Sequence, residues 1–180
     1  MPFSLYHASV GAYLQILPSI AGLIGKAEAH CQANGLPAEA LTDARLADDM
    51  WPFAKQVFEC AHHSARAIEG VRAGVFGPEI EPAPLDFASL HKEIADATTA
   101  LKAVDPAEID GMIGRDMRFE FGTRRMDFTV EDFLLTFSLP NFYFHATSAY
   151  AVLRNQELKV GKMDYLGKLR LKSLIQNYPA

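Results

Sequence analysis

The sequence predicts an all-α protein, a four-helix bundle with a short β-hairpin ahead of its last long helix. Apolar residues recur at three- and four-residue steps through four long stretches, as on helices that bury one face. One stretch, Arg115 to Phe128, changes to period two around Gly122-Thr123, as a hairpin requires. The composition, 180 residues with 49% hydrophobic and 22% charged, is that of one globular domain with a real core.

The first helix runs from about Leu5 to Ala33, with Val10, Leu14, Leu17, Ala21 and Ile24 on its apolar side and Asn34-Gly35 as its stop. Pro18 lacks an amide donor, which predicts a kink or break near Leu17. Leu36 to Leu46 reads as a linker with one short turn. The second helix begins at Asp48 or Asp49, tolerates Pro52 in its first turn and continues to about Val71, burying Met50, Phe53, Val57, Ala61, Ser64 and Ile68. A loop from Gly74 to Pro84 leads to a third helix, capped by Asp86, that buries Phe87, Leu90, Ile94, Ala97, Leu101 and Val104 and stops at Asp105-Pro106. In the hairpin, Met117, Phe119 and Phe121 alternate with charged neighbours, and Met126 and Phe128 resume the alternation. Thr129, followed by Glu131 and Asp132, caps a fourth helix that ends near Asn155. Residues 1–167 make one domain, turn-like around Gly161 and Gly167, and 168–180 a tail.

Charge and cysteine content narrow the function classes. A formal charge of −5, with no basic cluster larger than Lys168, Arg170 and Lys172, argues against a nucleic-acid partner. Tyr13 to Gly25, the longest apolar region, contains Gln15 and Pro18 and falls short of the ~20 residues of a membrane span, so no membrane is expected. The N-terminus has no basic start and no small-residue cleavage pattern. Cys31 and Cys60 form neither a CxxC pair nor a repeat, which fits a reducing cytoplasm.

The stretch Leu139 to Arg154, LPNFYFHATSAYAVLR, carries the candidate site. Steps of four and three residues put Asn141, His145 and Ser148 on one helical face within an aromatic segment. Such a face is either a polar site or a core histidine bonded to Asn141, Ser148 or a backbone carbonyl. Phe133, Phe137, Phe142, Tyr143, Phe144 and Tyr150 line either a ligand pocket or, first of all, the core. On the second helix, His62-His63 reads as two solvated residues, with His62 toward one flank of the buried stripe, and Glu59 as an exposed charge one turn away. Cys60 and His63 stand three apart, close enough to pair as a nucleophile, although a helical cysteine beside Ala61 more often behaves as a small apolar residue.

Three phrases, RLADDMWPFAKQV (Arg45 to Val57), LPNFYFHATSAYAVLR and GKMDYLG (Gly161 to Gly167), resemble an uncharacterised, domain-of-unknown-function branch of the DinB/YfiT-like superfamily, across most of the chain. The resemblance implies an up-down-down-up four-helix bundle, often dimeric, in which many members hold a divalent metal through three histidines. One comes from the second helix and two from an HxxxH on the fourth. Carried over, the second histidine of HxxxH falls on His145, the first on Asn141, and the second-helix ligand on His62, with His63 as the neighbouring alternative. Asn141 departs from the pattern, because an amide oxygen is a weaker ligand for zinc, nickel or iron than an imidazole nitrogen.

Together these features favour a degenerate metal site in a protein that binds a small ligand or a partner, as a homodimer. The alternative is a divalent-metal-dependent hydrolase or transferase, thiol-dependent in some relatives' manner, in which His62, His145 and Asn141 hold Zn, Ni or Fe and leave one position open for water.

Overall fold

The first helical run breaks at Ser9, not at Pro18. In the computed structural model, which describes residues 3–171, α1 (Leu5–Ala8) is followed by α2 (Val10–Asn34). Ser9 turns its hydroxyl back to the Leu5 carbonyl at 2.7 Å, a local bond that competes with helix continuation. Pro18 lies inside α2 without ending it, at the loss of the one amide that would have reached Leu14. Gly35 closes the helix at φ 62°, a left-handed conformation that glycine adopts freely. The run Leu5–Asn34 is apolar enough for a membrane span by composition, with a mean hydropathy of 1.4 over eighteen residues. Here Tyr13, Leu17, Ile20, Leu23 and Ile24 are fully buried against the rest of the chain.

After α3 (Glu39–Thr42), the second run starts at α4 (Phe53–Ala61), later than the aspartates suggest. Pro52 is extended at ψ 165°, and the Phe53 amide bonds back to the Ala44 carbonyl at 2.9 Å, so Asp48 and Asp49 stand in the preceding turn and cap nothing. A wide π-turn, His62–Arg66, then leads into α5 (Ala67–Ala73). The loop beyond contains a two-residue strand, β1 (Val75–Phe76), which the proline- and glycine-rich sequence does not announce.

The third run, α6 (Phe87–Lys102), is capped as predicted, Asp86 accepting the Ser89 amide at 2.7 Å. Asp105-Pro106 ends it and also opens α7 (Pro106–Asp110). The hairpin is β2 (Asp116–Phe121) and β3 (Arg124–Thr129), paired from Asp116↔Thr129 to Phe121↔Arg124. Gly122, at φ 59°, supplies the first central position of its two-residue turn. β1 joins β2 in parallel, Phe76 opposite Phe119, to complete a three-stranded sheet. The last run is α8 (Val130–Asp132), a second π-turn Phe133–Ser138, and α9 (Leu139–Asn155). α10 (Lys162–Leu166) follows and packs on α2, where Lys26 meets Asp164 at 2.8 Å. Of the predicted tail, 172–180 lies outside the described residues.

The protein is thus mostly helical with one small sheet. The long helices close a ring in which α2 touches α6 and α9, and α4 touches the same two. Tyr13, Phe53, Leu90, Ile94, Phe133 and Phe142 fill its interior.

The two π-turns face each other and share a buried bond. A π-turn carries one residue more than an α-turn and leaves carbonyls without their usual amides. Ser138 donates to the His63 carbonyl at 2.7 Å, and Ser64 donates to the Cys60 carbonyl at 2.6 Å. Because the Ser138 proton is committed there, the Tyr13 hydroxyl, 2.8 Å away, is the donor to Ser138 Oγ. Helices α2, α4 and α9 are joined through this chain.

Two substitutions test the arrangement by chemical denaturation. Ser138→Ala strands two buried polar groups and should cost about 1–3 kcal/mol. Phe142→Ala empties a fully buried ring site and should cost roughly 3–5 kcal/mol, whereas Phe144→Ala, 55% exposed, should cost less than about 1 kcal/mol.

Candidate functional site

The histidines of the second helix are buried, contrary to the solvated pair that their position on the helix predicts. His62 is 6% exposed and His63 7%. The cause is the loop after α5, which returns over this face: Phe76 stacks on His62 at 4.5 Å, and the Gly77 carbonyl lies 2.9 Å from His62 Nε2. A carbonyl only accepts, so the proton sits on Nε2 and the buried Nδ1 of His62 is left without a partner. Glu79 Oε2 stands 3.8 Å from that nitrogen and is paired with Arg66.

His63, not His62, faces His145. Their rings lie 5.5 Å apart and 18° from parallel. Glu59 is also buried, 3% exposed, where an exposed charge was expected. Its Oε2 stands 3.7 Å from His63 Nε2, and Lys55 Nζ approaches Oε1 at 2.9 Å. Ligand atoms of Glu59, His62 and His63 come within 4.8 Å of one another.

His145 finds a partner that the sequence pattern does not suggest. Its Nδ1 lies 2.8 Å from Gln56 Oε1 rather than against Asn141, Ser148 or a backbone carbonyl. Gln56 Nε2 donates to the Trp51 carbonyl at 3.1 Å, which orients the amide so that its oxygen faces the ring. The His145 proton is therefore on Nδ1, and the Nε2 lone pair is free. Trp51 stacks on the same imidazole at 5.6 Å and 12°. Asn141 donates to the Phe137 carbonyl of its own helical run at 2.7 Å, so its amide nitrogen is held by the backbone.

These groups open into a cavity of about 610 Å³. Gln56, Glu59 and His63 line one wall, and Asn141, Phe144 and His145 another. Phe119 and Phe121 of the hairpin, Pro78 to Ile80 of the loop, and Asp49 to Trp51 close the remainder. His62 lies behind this lining. Of the residues that the resemblance nominates, Asn141, His145 and the alternative His63 line the cavity, whereas His62 does not. Gln56 and Trp51 were missed. The signal for Gln56 was its spacing, since residues 56, 59 and 63 follow a helical stripe carrying three polar groups.

Burial sets the electrostatics. It pulls His145 down to about 4, with His62 and Lys55 adding to the effect, and His63 down to about 3, with help from His62 and His145. His62 falls to about 4 for the same reason, against the opposing Gly77 bond. All three imidazoles are neutral at pH 7, the form that accepts a proton or ligates a metal. Burial also raises the Glu59 carboxyl, opposed by Lys55. It pushes the Cys60 thiol far above its ordinary range, and Cys60 donates to the Gln56 carbonyl at 3.2 Å. A protonated, fully buried thiol is no nucleophile, so the Cys60–His63 pairing is not formed.

These depressed histidines make acid destabilising. The unfolded chain protonates its imidazoles near 6.5, whereas the folded chain resists until about 4 at His62 and His145 and about 3 at His63. Stability should be complete above pH 6.5 and fall from there to about 3, each refused proton adding a slope of about 1.4 kcal/mol per pH unit. Thermal melts across this range should show the loss, with a shallower slope in His145→Gln.

The comparisons with known proteins bear on the family and the fold. The model of a domain of unknown function, DUF1993, matches residues 5–166. A crystal structure of a DinB family member protein from Shewanella denitrificans superposes with a TM-score of 0.78 at 25% identity, covering 94% of this chain and 96% of that one. No curated protein matches. On the extent of the family match, the chain belongs to the DUF1993 family, an uncharacterised branch with the DinB-like fold.

Proposed function

We propose that this protein binds a small organic molecule in the cavity between α4 and α9, at a degenerate version of the metal site that the superfamily resemblance implies. The observation that carries this reading is the free Nε2 of His145. It belongs to a residue only 4% exposed, has its tautomer set by Gln56, and opens into an aromatic-walled cavity of about 610 Å³. Ligand sites typically occupy roughly 300–1,000 Å³ with a few placed polar groups on apolar walls. The reading extends to an up-down-down-up bundle of one domain over residues 1–167, acting as a cytoplasmic homodimer without nucleic-acid or membrane partners. The formal charge of −5 supports the absence of a nucleic-acid partner.

A second reading, a divalent-metal-dependent hydrolase or transferase, is favoured by the Glu59, His62 and His63 cluster. The donors fit such an ion, since neutral imidazoles and a carboxylate are the usual ligands of zinc, nickel or iron. Glu59, His62 and His63 would hold it, His62 through the Nδ1 that its Gly77 bond leaves without a proton, with His145 beside His63 as a further donor. Asn141 offers only its amide oxygen. A bound ion would supply Lewis acidity and a more acidic water. Meanwhile Gln56 would orient His145, and Lys55 would favour the ionised form of Glu59 against its burial.

Elemental analysis of protein purified without an affinity tag separates the two. The ligand-binding reading predicts zinc, nickel and iron well below one ion per chain. A stoichiometric ion that disappears in His145→Ala would replace it with the metal-dependent enzyme.

A further inference from the structure

The polar groups of the cavity are unbalanced in sign. Among the described residues that line it are three carboxylates, Asp49, Glu59 and Glu79, and no lysine or arginine. Lys55 and Arg66 stand behind two of them, Lys55 at Glu59 and Arg66 at Glu79. Three carboxylates against two cations leave one negative charge in excess. An anionic ligand would meet no facing cation, and its desolvation would go uncompensated.

The orphaned atoms point the same way. Glu59 Oε1 is buried with no aligned hydrogen-bond donor, although Lys55 is near. The His145 Nε2 lone pair, on the cavity side of the ring, also has no donor among the described residues. Both are acceptors of residues that line the cavity, and a ligand N–H would satisfy each.

The walls suit a positive charge as well. Phe119, Phe121, Phe137, Phe144 and Trp51 present aromatic surface, and ring faces attract cations most strongly when water is excluded. Trp51 already does so within the chain, with Lys55 Nζ 5.5 Å from its ring centre.

We infer that the ligand is an organic cation, an ammonium group on an aromatic or compact apolar body, with its N–H groups directed to His145 and Glu59. The inference rests on the proposed ligand-binding reading and adds the sign of the ligand's charge. It predicts that carboxylates and phosphates of the same shape are rejected.

Three probes of similar size, benzylammonium, benzyl alcohol and phenylacetate, test it by calorimetry, with the fluorescence of the single tryptophan, Trp51, locating the binding. Benzylammonium should bind at least about tenfold tighter than the alcohol, the least that a charge-assisted hydrogen bond contributes, and phenylacetate weakest of all. Glu59→Gln should remove most of the preference for the cation, read as the ratio of benzylammonium to benzyl alcohol affinity within the same variant. Asp49→Asn, at an exposed position on the rim, should reduce the preference without disturbing the core. Phenylacetate binding as tightly as benzylammonium would overturn the charge inference and leave the cavity as a ligand site. Silence from all three probes, with zinc ion binding in their place, would overturn the inference and the ligand-binding reading together.

Discussion

The bond from Ser138 to the His63 carbonyl constrains everything around the site. Its two residues belong to the two π-turns, and the acceptor is a carbonyl on the wide turn of the second helical run. A π-turn exchanges good α-helical bonds for poorer ones and survives when its surroundings hold it. Here the bond is buried, is extended by Tyr13 from α2, and links three of the four long helical runs. It fixes the height at which α9 meets α4. Consequently His145 lies against His63 and within reach of Gln56, a full two turns earlier on the same face.

The loop between α5 and α6 does the electrostatic half of the work. By returning Phe76 and Gly77 over the second helical run, it converts a helix face that would be wet into an enclosed one. Dry surroundings keep the three imidazoles neutral and force the nearby charges into pairs, Glu59 with Lys55 and Glu79 with Arg66. Lys55 also approaches the carbonyls of Glu79 and Glu81 at 3.4 Å, so the loop and the charge network hold each other in place. Removing one member of such a set leaves a buried charge alone, which is far more costly than the pair is favourable.

Local signals were legible and long-range ones were not. The four helical runs, the hairpin with its Gly122 turn, and the caps at Asp86 and Thr129 follow from periodicity and short-range chemistry, and the structure contains them. Pro18 does not break α2, which packing on both flanks sustains through the proline, while the less conspicuous Ser9 ends α1 with its own hydroxyl. Asp48 and Asp49 misled for a similar reason, since a tertiary bond from Phe53 to Ala44 sets the true start. His145 and Asn141 were visible at the site by spacing. The burial of His62, His63 and Glu59 was not, because a loop about fifteen residues downstream covers them, and helical periodicity carries no record of such a cover. The bond between Gln56 and His145 spans 89 positions and has no local signature.

The central claim is that the fold presents an unprotonated Nε2 of His145 to the cavity between α4 and α9, with the proton held on Nδ1 by Gln56. Long-range proton–nitrogen NMR of the histidine rings, followed from pH 8 to pH 4, tests it directly. The Nδ1–H tautomer should persist with little change until the pH approaches about 4. An Nε2–H tautomer, or a titration midpoint near the ordinary value of 6.5, would contradict the account.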